Sequence, residues 1–258
     1  MSRTDSSADQ ATAAISRRSL LGRIAAAGGA GLIATGMPFG SLFAAAPDEG
    51  GPHALDANAM HSPIGTPAEA MRALVEGNRR FADGRPTAPN RSLSHLKDVA
   101  PKQAPFAAVL SCADSRVPVE ILFDQGLGDV FVCRVAGNIV TPEMLASLEF
   151  GTLVLGAKAL IVLGHSACGA VKATIAGEAV PGQISTLYQH IQPAVDRAAE
   201  KSSHGKAELE AATQENVRMQ LRLLARSSPV LRALVKEGKL SIGGAMYDVA
   251  TGRVAMLD

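Results

Sequence analysis

The sequence contains no tryptophan, and aromatic residues of all kinds make up only 3% of its 258 positions. This scarcity argues against a surface that stacks nucleic-acid bases or sugar rings, because such surfaces are built from aromatic side chains. Charge is also nearly balanced, with 25 basic and 24 acidic side chains and no block of like sign. The chain therefore lacks the electrostatic footprint of a nucleic-acid-binding protein, and a small-molecule ligand is favoured.

Cysteine is almost as scarce as tryptophan. The three cysteines, Cys112, Cys133 and Cys168, are too few and too widely spaced for a disulfide-stapled scaffold, so each needs its own explanation. Hydrophobic residues, by contrast, make up 47% of the chain and can build one sizeable core.

The N-terminal segment, residues 1–46, is typical of a twin-arginine signal peptide. Arg17 and Arg18 precede a mildly apolar stretch rich in alanine and glycine, which ends in an alanine cluster. Several glycines and a proline interrupt this stretch, which disfavours a transmembrane anchor. The pattern predicts recognition by the twin-arginine export machinery and a periplasmic location, with a linker at 47–65 and one domain at 66–258; the cleavage position stays open.

The body of the chain alternates buried strands with helices. The runs 106–111, 129–136 and 159–165 are predicted to be strands, and they are mostly apolar, as strands buried on both faces are. Helical segments separate them, and the chain closes with a strand, a turn and a final strand within 239–257. This order predicts an α/β fold with a mostly parallel sheet flanked by helices. Helices are predicted at about 67–82, 142–156, 168–177, 183–200, 207–227 and from Pro229, and the proline- and asparagine-rich stretch 84–105 is predicted to be a connection.

Two thiols and an imidazole lie where two of these strands end. Cys112 follows the first strand, whereas His165 and Cys168 follow the third. The carboxyl ends of parallel strands lie along one edge of a sheet, so these side chains can meet despite their separation in sequence. Two cysteines and one histidine with a fourth position open are the ligand set of a catalytic zinc site.

A carboxylate and a guanidinium accompany this set. Asp114 lies two residues after Cys112 and can reach the open metal position, while Arg116 can hold the carboxylate ionised through paired hydrogen bonds. An unpaired Asp114 could instead become a fourth ligand and close the site. Zinc lowers the pKa of its water to about 7, and the resulting hydroxide attacks electrophilic carbon.

Cys133 has no partner in this pattern and is predicted to be a core or pocket-wall thiol rather than a fourth ligand. The other histidines are predicted to be solvated surface residues. They are His53, His61, His95, His190 and His204.

With these motifs in view, the sequence resembles the β-class carbonic anhydrases. The likeness runs in order through "CADSRVP", "DVFVCRVAGNIV", "GHSACGAV", "ENVRMQL" and "GAMYDVATGRV", and it covers about residues 66–258. One departure stands out: bicarbonate-regulated members have a tryptophan just before the first metal cysteine, where this chain has Val109 and Leu110. Arg134 matches an arginine that contacts bicarbonate in those members, but the missing tryptophan argues against that regulation.

The resemblance implies a specific site and reaction. Zn²⁺ is expected to be held by Cys112, His165 and Cys168, with Asp114 and Arg116 as an orienting or gating dyad. Zinc hydroxide would attack carbon dioxide to give bicarbonate and a proton. The resemblance further implies a four- or five-stranded sheet and a homodimer or homotetramer.

Other functions remain open at this point, among them zinc storage or an inactive interaction module. The same zinc scaffold could hydrolyse carbonyl sulfide or carbon disulfide, which are isoelectronic with carbon dioxide. Alternatively, Cys112 and Cys168 could form a disulfide in an oxidising compartment, which would leave a non-catalytic zinc or redox protein.

Overall fold

The computed structural model describes residues 64–257, so the predicted signal segment and nearly all of the predicted linker lie outside the described residues. No helix within this range combines the length and apolar character needed to cross a membrane. The helices are α1 (Pro67–Ala82), α2 (Leu93–Val99), α3 (Val119–Leu122), α4 (Pro142–Glu149), α5 (Gly169–Ala176), α6 (Ser185–Lys201), α7 (Leu209–Ser227) and α8 (Pro229–Lys236). The strands are β1 (Ala107–Ser111), β2 (Val130–Arg134), β3 (Ala159–His165), β4 (Ser241–Tyr247) and β5 (Val254–Leu257), with a 3-10 turn at Ala136–Asn138 and a π-helical turn at Phe150–Val154.

The five strands form one sheet in the order β2-β1-β3-β4-β5. The pairs β1–β2, β1–β3 and β3–β4 are parallel, and β5 pairs with β4 antiparallel. This confirms the predicted α/β fold with a mostly parallel sheet. Ser111 at the end of β1 lies opposite both Arg134 and Leu163, so three strands end at the same edge of the sheet.

The core lies on both faces of this sheet. All five residues of β1 are buried, and successive side chains point to opposite faces. Val109 packs in one cluster with Leu74 of α1, while Leu110 packs in the other with Val217 and Leu224 of α7. Helices thus cover both faces, which is why every residue of the central strands β1 and β3 is buried.

Helix α7 approaches the sheet unusually closely at two glycines. A Cβ atom on Gly164 would lie 2.5 Å from Cγ2 of Val217, and one on Gly244 would lie 2.7 Å from Cδ1 of Leu221. Real Cβ atoms do not make contacts this short, so only glycine lets the helix backbone pack against β3 and β4 at this distance.

Two details of the 84–105 stretch differ from the prediction. The helix α2 forms there because Ser92 caps it, with Oγ accepting from the backbone N–H of His95 at 3.0 Å. His95 is buried rather than solvated, since its Nε2 lies 2.9 Å from the carbonyl oxygen of Leu127. The helix spans only seven residues, so the turn-forming residues around it hid its signal.

Candidate metal centre

Three buried side chains converge at the carboxyl edge of the sheet. Cys112 directly follows β1, His165 is the last residue of β3, and Cys168 caps the N-terminus of α5. One ligand atom from each residue lies within 4.8 Å of the other two. The neighbouring positions of β1 and β3 produce this convergence, which brings together the three ligands expected from the sequence.

The His165 ring is oriented so that it can itself serve as a metal ligand. Its Nδ1 lies 2.9 Å from the carbonyl oxygen of Ser166, and because a carbonyl only accepts, Nδ1 carries the proton of this bond. Its Nε2 therefore presents a lone pair, and this buried atom has no hydrogen-bond partner among the described residues. A buried, unpartnered nitrogen beside two sulfur atoms fits a zinc ion, which prefers nitrogen and sulfur ligands.

The two thiols share their protons unequally. A hydrogen bond from Cys168 is the main factor that lowers the pKa of Cys112, and the Cys112 thiolate together with burial raises the pKa of Cys168. The pair therefore gives up one proton readily, and a cation bound between the sulfurs would favour release of the second. Both are free thiols in the structure.

A backbone donor also contacts the Cys112 sulfur. The N–H of Gly137, in the 3-10 turn after β2, donates to Sγ at 3.3 Å. Gly137 has a φ of +75° and a buried backbone, and a Cβ there would lie 2.6 Å from Cδ1 of Ile191. Sequence reasoning missed this contact, whose only local signal was the glycine in "VAGNIV".

Asp114 and Arg116 form the pair that the sequence predicts. The guanidinium binds both carboxylate oxygens, with Nε to Oδ1 at 3.0 Å and Nη2 to Oδ2 at 2.8 Å. The Arg116 side chain is the main cause that holds the pKa of Asp114 well below its usual range. Oδ2 also lies 4.0 Å from Nε2 of His165, so the carboxylate faces the ligand cluster from one side.

Arg134 fixes the backbone beneath this pair. Its Nε donates to the carbonyl of Cys112 at 3.0 Å and its Nη2 to the carbonyl of Asp114 at 2.6 Å. The sequence indicated this residue only through its likeness to a regulatory arginine. In the structure the guanidinium supports the loop that carries Cys112 and the Asp114 carboxylate.

Cys133 lies apart from the cluster, in the core. It is buried beside Leu110 and Val140, and burial raises the pKa of its thiol to about 11. This placement agrees with the prediction of a core thiol.

Comparisons with known proteins agree with this geometry. A family model described as carbonic anhydrase matches residues 107–254. Carbonic anhydrase 2 of Mycobacterium tuberculosis is 36% identical over 200 residues, which cover 76% of this chain and 95% of that protein.

Solved structures lead to the same family. A β-carbonic anhydrase of Sordaria macrospora, described as tetrameric, has a TM-score of 0.59 at 26% identity and covers 72% of this chain and 96% of that chain. The Coccomyxa β-carbonic anhydrase in complex with acetazolamide has a TM-score of 0.57 at 30% identity, with 71% of this chain and 84% of that chain covered. The extent of both the sequence and the fold match shows that this chain belongs to the β-class carbonic anhydrase family of enzymes.

Proposed function

We propose that this chain catalyses the zinc-dependent, reversible hydration of carbon dioxide to bicarbonate and a proton. The observation that carries the proposal is the convergence of three buried ligand atoms within 4.8 Å, next to an ionised carboxylate. Family membership supports this reaction over hydrolysis of carbonyl sulfide or carbon disulfide and over a disulfide-bonded redox protein.

Cys112, His165 and Cys168 would hold the metal. When bound, zinc would supply hydroxide near neutral pH by lowering the pKa of a coordinated water to about 7. The protein keeps the imidazole in the required tautomer through Ser166 and supports the Cys112 sulfur through the N–H of Gly137.

Asp114 would orient the attacking oxygen. An ionised carboxylate only accepts hydrogen bonds, so it directs the donor hydrogen of the nucleophile toward itself and a lone pair toward the carbon of carbon dioxide. Arg116 keeps the carboxylate in place through two hydrogen bonds. A closed state, with Asp114 as fourth ligand, would require these bonds to break, so Arg116 also opposes closure.

The reaction releases one proton for each bicarbonate formed. Asp114 is a poor acceptor for this proton, because the hydrogen bonds from Arg116 stabilise the ionised carboxylate. The proton would therefore pass to buffer, and the carboxylate would act through orientation.

Stopped-flow hydration of carbon dioxide by zinc-quantified protein tests this function. We expect a rate far above that of buffer and inhibition by acetazolamide, the ligand of the Coccomyxa relative. Zinc-loaded protein no faster than buffer would contradict the proposal, and carbonyl sulfide and carbon disulfide would then be tested as substrates.

We further propose that the enzyme is a homodimer or homotetramer. The Sordaria macrospora relative is described as tetrameric. Strand β2 lies at the edge of the sheet, and its Val130, Phe131 and Val132 are only partly buried. An edge strand with apolar side chains is a surface that a second copy can cover. Light scattering on the purified protein tests this, and a monomer at micromolar concentration would contradict it.

We also propose export to the periplasm by the twin-arginine machinery. The arginine pair Arg17-Arg18 before an apolar stretch supports it. This route carries folded proteins, so zinc could be loaded in the cytoplasm before the thiols meet an oxidising compartment.

A further inference from the structure

Two buried amide side chains on α7 bind each other. Asn216 and Gln220 lie one helical turn apart and are 0% and 1% exposed. Nε2 of Gln220 donates to Oδ1 of Asn216 at 3.0 Å. Both residues belong to the "ENVRMQL" motif, to which the ligand set and the dyad give no role.

This amide pair also binds both ends of the segment 137–140. Nδ2 of Asn216 donates to the carbonyl of Gly137 at 2.9 Å, and the N–H of Val140 donates to Oε1 of Gln220 at 2.9 Å. The segment connects β2 to α4 and contains the backbone donor to the Cys112 sulfur.

The segment needs such external bonds to keep its shape. Gly137 and the following Asn138 both have positive φ, at +75° and +44°. A non-glycine residue in this region is strained and persists only when its surroundings hold it there. The bonds from Asn216 and to Gln220 hold the two ends of the segment, and this keeps the Gly137 N–H directed at the Cys112 sulfur.

Packing alone does not explain two amides at this position. A buried amide destabilises the fold unless its polar atoms are bonded, and an apolar side chain would fill the same space without that requirement. Here the oxygen and the nitrogen of both amides are bonded, so the polar network is complete. Through Gly137, this network is connected to the Cys112 sulfur of the candidate metal centre.

We propose that Asn216 and Gln220 are positioning residues that hold the Gly137 N–H on the Cys112 sulfur and thereby slow the loss of zinc. The inference rests on the zinc ligand set proposed above. It assigns to α7, which contributes no ligand, control over how long the metal stays bound.

The test measures zinc release from the holoenzyme into excess chelator. Outer-shell substitutions typically cost 10- to 100-fold in metal affinity, so we expect Asn216→Ala and Gln220→Ala to release zinc about tenfold faster than the wild type or more. Asn78→Ala is the matched control. Asn78 is also a buried amide with three backbone partners, Leu122, Gly252 and Val254, none of which belongs to the metal centre.

The control separates positioning from a general loss of stability. Fast release in both α7 variants, with Asn78→Ala within about twofold of the wild type, would support the inference. Equal release by all three variants would overturn it, since destabilisation alone would then explain the effect. If Asn216→Ala gives no folded protein, the decisive variant is Gln220→Met, which keeps a similar volume and removes every hydrogen bond of the Gln220 amide; its zinc release is compared with that of Asn78→Ala in the same way.

Failure of the inference differs from failure of the proposed function. Wild-type protein that binds no zinc would overturn both. Wild-type protein that binds zinc, together with α7 variants that release it at the control rate, would overturn the positioning role alone.

Discussion

The guanidinium of Arg134 donates a hydrogen bond of 2.6 Å to the main-chain carbonyl of Asp114. The last residue of β2 therefore fixes the backbone of the residue whose carboxylate faces the metal centre. Arg116 holds the side chain of the same aspartate, so two arginines act on one residue at different atoms.

Substitution of Arg134 should lower activity without removing zinc. In Arg134→Met the carbonyls of Cys112 and Asp114 lose their donor, so the carboxylate is held less well, and we expect about a tenfold lower kcat with zinc content unchanged. Stopped-flow hydration and metal analysis on the same sample measure both. Arg232→Met is the control, because Arg232 also donates to two backbone carbonyls, those of Ala225 and Arg226 near the C-terminal end of α7, and not to the loop that carries Cys112 and Asp114. Equal losses in the two variants would contradict a specific role.

Removal of the Asp114 carboxylate should lower kcat and leave the zinc content unchanged. Correct orientation of a reacting group contributes on the order of 100-fold, so Asp114→Ala should lower kcat by about that factor while zinc stays bound. Asp83→Ala is the control, since Asp83 also pairs with an arginine, Arg253, at 3.0 Å but away from the site. Full activity in Asp114→Ala would refute the orienting role.

Substitutions of Cys168 and Cys133 should have different effects on zinc binding. Cys168→Ala removes a proposed ligand, and we expect purified protein with little zinc and no activity above buffer. Cys133→Ala removes a buried thiol outside the cluster, and we expect full zinc content with a modest loss of stability. Metal analysis of both variants decides, and zinc loss in Cys133→Ala alone would reverse the assignment.

The buried carboxylate of Asp124 should make stability depend on pH. Burial alone would raise its pKa, but hydrogen bonds from Thr87, Arg80 and Ala88 outweigh burial and lower the pKa from 3.8 to about 2. The folded state therefore binds this proton more weakly than the unfolded state, so the contribution is complete above about pH 5 and declines as pH falls toward 2. Its full size is of order 2 kcal/mol.

Denaturant unfolding of Asp124→Asn tests this linkage. We expect the variant to be less stable than the wild type by about 2 kcal/mol at pH 7, and the gap to shrink to roughly half by pH 3. Asp196→Asn is the control, because this exposed aspartate accepts a single bond from Gln192. A gap that stays constant with pH would show that the lost contacts, and not the charge, matter.

Export should depend on the arginine pair. Replacement of both Arg17 and Arg18 by lysine should leave the protein in the cytoplasm, because the twin-arginine pathway requires that pair. Fractionation of cells that express each form measures this. Unchanged periplasmic protein in the variant would exclude this route.

The sequence was most informative where the structure depends on local pattern. β1 and β3 are buried throughout and almost entirely apolar because helices cover both faces, and this signal predicted the strands and the converging strand ends. The predicted helix at 67–82 forms as α1 and begins with a capping box, in which Oγ1 of Thr66 and the carboxylate of Glu69 bind each other's backbone N–H.

Contacts that cross the fold could not be read in this way. The bond from Asn216 to Gly137 joins residues 79 positions apart, and neither residue carries a local sign of its partner. His95 looked solvated because it lies in a stretch rich in polar and turn-forming residues, whereas its burial depends on Leu127, a residue in a later loop. Such contacts follow from the packing of helices on the sheet, which a single sequence does not specify.

Gly164 shows that a position with no chemical role near the site can still be restricted, because of how tightly it packs. This residue is not one of the proposed ligands and transfers no proton, yet an added methyl group would lie 2.5 Å from Cγ2 of Val217 and 2.8 Å from Sδ of Met246, so Val217 would have to shift and could draw α7 with it. Asn216 precedes Val217, so the same displacement would draw its amide from the Gly137 carbonyl. In a saturation screen scored on activity, this glycine should therefore tolerate few replacements, and a map of sensitive positions would include residues that pack α7 against the sheet as well as residues of the site.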